Sequence, residues 1–191
     1  MKSVTDIPQA VSLQDLKRSI HIMPDDSEDD LLFTGYLTAA QEVVETATRR
    51  LISPRSVKFE LRAVGCLRWW FPVCPVTDVT SLRWQQANGV WADLDFTAVR
   101  LESQDDEPQL VFPDGFWATV TDGAAVEVVA DAGYSEMTMP RPLKQAAMLL
   151  VKDWYEAGIA VEKKEFLDVS FGCRAIMKQY RYARPREYGA A

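Results

Sequence analysis

The hydrophobic period of this chain changes twice, and that change restricts the fold more than any other feature. Between Ser27 and Pro54, Leu32, Tyr36, Ala39, Ala40, Val43, Ala47 and Leu51 recur every three or four positions, which marks one face of an α-helix. From about residue 55 to 135 the pattern shortens to β-rich runs punctuated by Pro72, Pro75 and Pro113. Helical spacing returns after Pro140 and Pro142, in Leu143, Ala146, Ala147, Leu150, Val151 and Trp154. A helix-period pattern does not bury its apolar face as a strand, nor the reverse. The expected fold is therefore α+β, with a helical core of an N-terminal helix pair plus C-terminal helices and an inserted antiparallel β-subdomain.

Local signals set the boundaries. Ser12 is expected to cap a first helix, with Asp15 three residues on in the manner of a capping box and Leu13, Leu16 and Ile20 on one face. After the turn at 21–26, Ser27 reads as a second N-cap, and Glu28, Asp29 and Asp30 fill the first turn, where negative charge favours the helix dipole. This helix should run to about Arg50, with Arg49 and Arg50 at its negative end, and Pro54 stops it. Strands are expected at 57–64, 68–71, 79–85, 90–95, 98–101, 109–112 and 125–130, and Asn88-Gly89 suggests a two-residue type I′ hairpin. Trp69, Trp70, Trp84, Trp91 and Trp117 are assigned mainly to packing, with a partner-facing role open for some. Gly158 can close the helix that follows Pro142, and a last helix is expected over 171–182. The chain thus reads as a single domain with N-terminal helices at 11–52, a β-rich insertion at 55–135, C-terminal helices at 140–182 and a flexible tail at 183–191.

Composition narrows the function classes. Of 191 residues 48% are apolar and 26% charged, a balance that supports a real core. The longest apolar run, 146–151, is closed by Lys152 and Asp153, far short of the roughly 18–20 residues of a membrane span, so no membrane partner is expected. The first residues, Met1-Lys2-Ser3-Val4-Thr5-Asp6, lack the apolar centre of a signal peptide, which points to synthesis in the cytoplasm. Cys66, Cys74 and Cys173 have no CxxC spacing and His21 is the single histidine, so neither a metal site nor another cofactor is expected and the cysteines read as free, partly buried thiols. No GxSxG, GxxxxGK[ST] or HExxH is present, and His21 suits a helix end better than a general base, so the chain is not expected to be an enzyme.

The net charge of −7 is uneven: residues 1–140 sum to −11 and residues 141–191 to +4. Such a chain has no general attraction for nucleic acid. Two groups of residues stand out as candidate sites. Asp25, Asp26, Glu28, Asp29 and Asp30 form an acidic cluster that helix capping explains without a cation, since it lacks the Asp-x-Asp-x-Asp-Gly rhythm of a calcium loop. Arg181, Tyr182, Arg184, Arg186 and Tyr188 interleave the two residue types enriched in interface anchors, so the tail is either a docking peptide or a solvated end.

Two blocks carry a resemblance. The first is Val11-Ser12-Leu13-Gln14-Asp15-Leu16-Lys17, then Asp25-Asp26-Ser27-Glu28-Asp29-Asp30-Leu31-Leu32, then Ala39-Ala40-Gln41-Glu42-Val43-Val44-Glu45-Thr46-Ala47-Thr48-Arg49-Arg50-Leu51. The second is Val126-Glu127-Val128-Val129-Ala130-Asp131-Ala132-Gly133-Tyr134, then Pro140 and Pro142-Leu143-Lys144-Gln145-Ala146-Ala147-Met148-Leu149-Leu150-Val151-Lys152-Asp153-Trp154-Tyr155-Glu156. In this order they resemble the head-to-tail connector, or adaptor, proteins of tailed bacteriophages and their counterparts in phage-like gene transfer agents. The resemblance spans residues 11–156 and implies a structural protein of the head-tail junction. It implies a homo-oligomeric ring, dodecameric by the family pattern, that sits under the portal protein, extends the DNA channel and carries a tail-completion or stopper protein. DNA would pass through without sequence-specific binding, the Arg/Tyr tail would dock on the portal, and the acidic cluster would face the channel or an interface. The Trp-rich insertion and the region after Gly158 depart from the family pattern. A monomeric protein-binding module or assembly chaperone is the competing reading.

Overall fold

The two periodicities separate in space as they do along the chain. The computed structural model describes residues 1–158 and 170–185, which form two units: a β unit of 1–7, 54–133 and 182–185, and a helical unit of 8–53, 134–158 and 170–181. The α+β expectation is met, with all strands in the first unit and all described α-helices in the second.

In the helical unit, α1 (Leu13–Ser19) begins as expected, the Ser12 hydroxyl accepting the Asp15 amide at 3.1 Å. It ends in a Schellman arrangement: Ile22 N–H donates to Lys17 C=O and His21 N–H to Arg18 C=O, with His21 left-handed at φ 62°. α2 (Asp30–Thr48) starts two residues later than expected, with Asp29 and not Ser27 at the cap position. Asp26 claims the Glu28 amide through its own carboxylate (3.2 Å), so the acidic residues before Asp29 form a turn and not a first helical turn. Arg49 in the left-handed region ends α2 at Thr48, two residues before the expected limit. α3 (Arg141–Ala157) carries Pro142 in its first turn, where no amide donor is needed, and α4 (Phe171–Gln179) stops short of the expected residue 182.

Phe33, Leu37, Ala40 and Val44 of α2 meet Leu143, Ala146, Leu150 and Val151 of α3, with Cys173 and Met177 of α4 closing the core. Each fully buried large side chain contributes about 1.5–3 kcal/mol relative to exposure. Phe33 stacks at a tilt on Tyr155 (4.8 Å) and Tyr36 meets Trp154 edge-on (5.9 Å). Gln41 is buried in this unit, its amide donating to Ser53 Oγ (2.7 Å) and Pro8 C=O (3.1 Å) and accepting from Ala10 N–H (2.9 Å). Glu45 accepts the Ile52 amide at 2.9 Å. These two side chains tie both flanking segments to α2.

In the β unit, β1 (Lys2–Ser3), β2 (Arg55–Arg62), β8 (Ala125–Ala132), β4 (Val76–Gln85) and β5 (Trp91–Asp93) form one antiparallel sheet in that order. A second, of β3 (Arg68–Trp70), β7 (Gln109–Val111) and β6 (Arg100–Glu102), has three strands. β8 is central because Val126, Val128, Ala130 and Ala132 supply an apolar face between two partners. Phe59, Trp69 and Phe71 then pack edge to face at 4.8–6.3 Å. Of the five tryptophans expected to pack, Trp69 is buried, while Trp70, Trp84 and Trp117 are partly exposed and Trp91 lies open under the Arg83 guanidinium.

The expected two-residue hairpin is corrected. Gln86 and Val90 close a three-residue loop, Ala87-Asn88-Gly89, in which Gly89 alone adopts positive φ (81°). A type I′ turn needs both central residues left-handed, and Asn88 is not. β1 was not anticipated, since two residues carry no period.

Candidate functional site

The acidic cluster is organised by a residue that sequence reasoning passed over. Lys17, only 3% exposed at the end of α1, donates from Nζ to Pro24 C=O (3.3 Å) and Asp26 C=O (2.5 Å) and pairs with Asp30 Oδ1 at 2.5 Å. A buried ammonium demands several acceptors, and the turn at 24–30 wraps around it to supply them. Asp29 Oδ2 accepts the Tyr155 hydroxyl at 2.9 Å, fixing the same turn to α3. That hydrogen bond, with the charge of Asp29 and the nearby field of Asp26 and Glu28, pushes the Tyr155 hydroxyl above its ordinary pKa. Asp29 and Asp30 are thus engaged within the fold, while Asp25, Asp26 and Glu28 are exposed. Among the described residues no group of three or more His, Cys, Asp or Glu could hold a metal ion. A lysine eight to thirteen residues ahead of an acidic run was the available signal for Lys17.

The described part of the tail is packed on the fold at Tyr182 and Arg184. Tyr182 is 4% exposed and its hydroxyl donates to Phe71 C=O at 3.0 Å, while the Arg184 guanidinium lies 5.5 Å from the Trp69 ring centre. The solvated-end reading is therefore corrected at Tyr182, which the β unit uses as a core side chain. Arg181 is exposed. Arg186 and Tyr188 lie outside the described residues.

Other polar groups serve the fold. Glu127, nearly buried on β8, receives Lys58 (2.8 Å) and Arg83 (2.5 Å). Burial opposes its charge, yet hydrogen bonds from Lys58 and Arg83 outweigh that and hold the carboxyl below its usual range. Lys144 and Ser12 do the same for Asp15. Cys173 is buried with its thiol directed at Ala146 C=O, and desolvation, with the nearby Asp153 charge, pushes its pKa to about 11, which leaves it protonated and inert. Cys66 and Cys74 are likewise unbridged. No helix among the described residues is long and apolar enough to cross a membrane.

No protein-family model matches the sequence, and no curated protein does. Solved structures do match its fold. The chain is similar, over 97% of its length and 97% of theirs, to a chain of the neck of an empty gene transfer agent particle computed with C6 symmetry (24% identity, TM-score 0.76). The same coverage holds for a chain of the virion of a native gene transfer agent particle (24%, 0.74) and one of the neck of a native particle computed with C12 symmetry (23%, 0.66). At these identities the likeness is one of fold.

Proposed function

We propose that this protein is a head-to-tail connector subunit, located at the head-tail junction of a virion or phage-like particle and structural, not catalytic, in role. Copies form a ring under the portal vertex, extend the DNA channel and present a platform to a tail-completion or stopper protein. The observation that carries this reading is the end-to-end match of both units to neck chains of gene transfer agent particles, at a TM-score of 0.76. A match confined to the helical unit would fit many folds; this one includes the β insertion.

Electrostatics and the tail agree with that role. A net charge of −11 over residues 1–140 repels DNA phosphates and lets DNA slide through a channel without adhering. Tyr182 roots the C-terminal segment on the β unit, so Arg184, Arg186 and Tyr188 start from a fixed point as a strap for the portal. Negative-stain electron microscopy of the purified protein, alone and mixed with the portal protein of the same gene cluster, tests the proposal. Hollow rings, or a collar on the portal, are expected. A persistent monomer that ignores the portal would overturn it.

A further inference from the structure

The helical unit carries two unlike apolar surfaces that its own fold does not cover. On α2, Leu31 is 91% exposed, Leu32 36% and Val43 38%, and Gly35 and Ala39 continue the stripe between them. A Cβ at Gly35 would meet nothing within 4 Å, so no intramolecular packing calls for a glycine there. The destabilisation that glycine brings to a helix interior is offset where another backbone approaches closely. The second surface is a cleft of about 690 Å³ along α3, floored by Met139, Met148 and Leu149. Met137, 96% exposed, stands at its rim on a turn held by reciprocal hydrogen bonds between Ser135 and Thr138.

These two surfaces lie on different helices and share no residue. At about 100° per residue, the stripe Leu32-Gly35-Ala39-Val43 is turned roughly 125° round α2 from Phe33, Leu37, Ala40 and Val44, and Arg141, Met148 and Lys152 lie opposite Leu143, Ala146 and Leu150. Because α2 and α3 pack through those buried residues, both exposed faces are turned out of the α2–α3 contact. Their charges are complementary. From Asp25 to Thr48 the chain has seven carboxylates and no Lys or Arg, with Glu28 and Glu42 exposed beside the stripe. The cleft is lined by Arg141, Lys144 and Lys152 against Glu136, with Lys144 also paired to Asp15 (2.6 Å) and Lys152 to Glu156 (3.6 Å), so Arg141 is its main cation for an incoming carboxylate.

We infer that the occupant of the α3 cleft is a second copy of this chain, which inserts the outer face of its α2, led by Leu31 and flanked by Glu28 and Glu42. The contact is heterologous, and repetition of it closes a ring. The methionines suit a surface that adapts to an inserted helix, and the inference rests on the connector reading.

The test uses two variants of the full chain, each blocking one face at an exposed position: Gly35→Trp on α2 and Gln145→Trp in the cleft. Sedimentation velocity, with and without the portal protein, follows each alone and the two mixed, after circular dichroism shows wild-type helicity. Each variant alone is expected to lose all assembly, and the equimolar mixture to form a species of two chains and stop, since one open cleft meets one open α2. Rings formed by either variant alone, or a mixture that stays monomeric while the wild type assembles, would overturn the inference and leave the connector reading standing. A wild type that assembles neither alone nor on the portal would remove both.

Discussion

Single residues show where charge is held against its solvation cost. Glu127 lies in a sheet face beneath Lys58 and Arg83, and its carboxyl is held below the usual range. A depressed folded pKa contributes stability that is complete above the unfolded value, about 4.5, and is lost as pH falls through the folded value. The protein should therefore lose stability below about pH 4.5, with Asp15 adding to the effect at lower pH. Glu127→Gln should cost about 1–3 kcal/mol at pH 7 and flatten that acid limb, as read from urea unfolding between pH 3 and 7. Thiol chemistry follows burial in the same way. Cys74 and Cys173 are fully buried and Cys66 is partly exposed, so a thiol reagent at pH 7.5 should label Cys66 first and the other two only on unfolding, as mass spectrometry would show.

At the scale of elements, the short helix α1 depends on what its last turn holds. Seven residues are too few for a helix to be stable alone, and α1 is fixed by Ser12 at one end and by the turn built on Lys17 at the other. Lys17→Met would leave the Asp30 carboxylate and two carbonyls without their cation. We expect a loss of about 2–4 kcal/mol and faster amide hydrogen exchange over residues 22–30, with α3 unaffected. The sequence indicated α1, α2 and α3 well, because Ser12, the apolar spacing and Pro140 act locally. It misplaced the start of α2, since Ser27 and Asp29 both have capping chemistry and only the demand of Lys17 for acceptors decides between them. The Asn88-Gly89 loop was misread for a related reason: one left-handed glycine satisfies a three-residue loop as well as a two-residue one, and the register of β4 on β5 makes the choice.

For the whole molecule, the proposed contact between the α2 stripe and the α3 cleft predicts that assembly is sensitive to ionic strength. Raising NaCl from 0.05 to 0.5 M should slow ring formation about tenfold or more while changing chain stability little, as light scattering and thermal melts would show. The acidic cluster and the tail were both legible as unusual residues, but their roles were not. Asp29 and Asp30 look like their neighbours in sequence, yet Tyr155 and Lys17 engage them and leave Asp25, Asp26 and Glu28 exposed. Tyr182 looked like tail and is core, because Phe71, 111 residues away, offers its carbonyl. The sequence by itself determined the fold class, the order of helical and β segments and the cysteine chemistry, since period, capping and composition act over a few residues. Only the tertiary structure decided which charges are neutralised, which strands neighbour β8 and which apolar faces are left uncovered, because those depend on partners that the chain brings together from far apart.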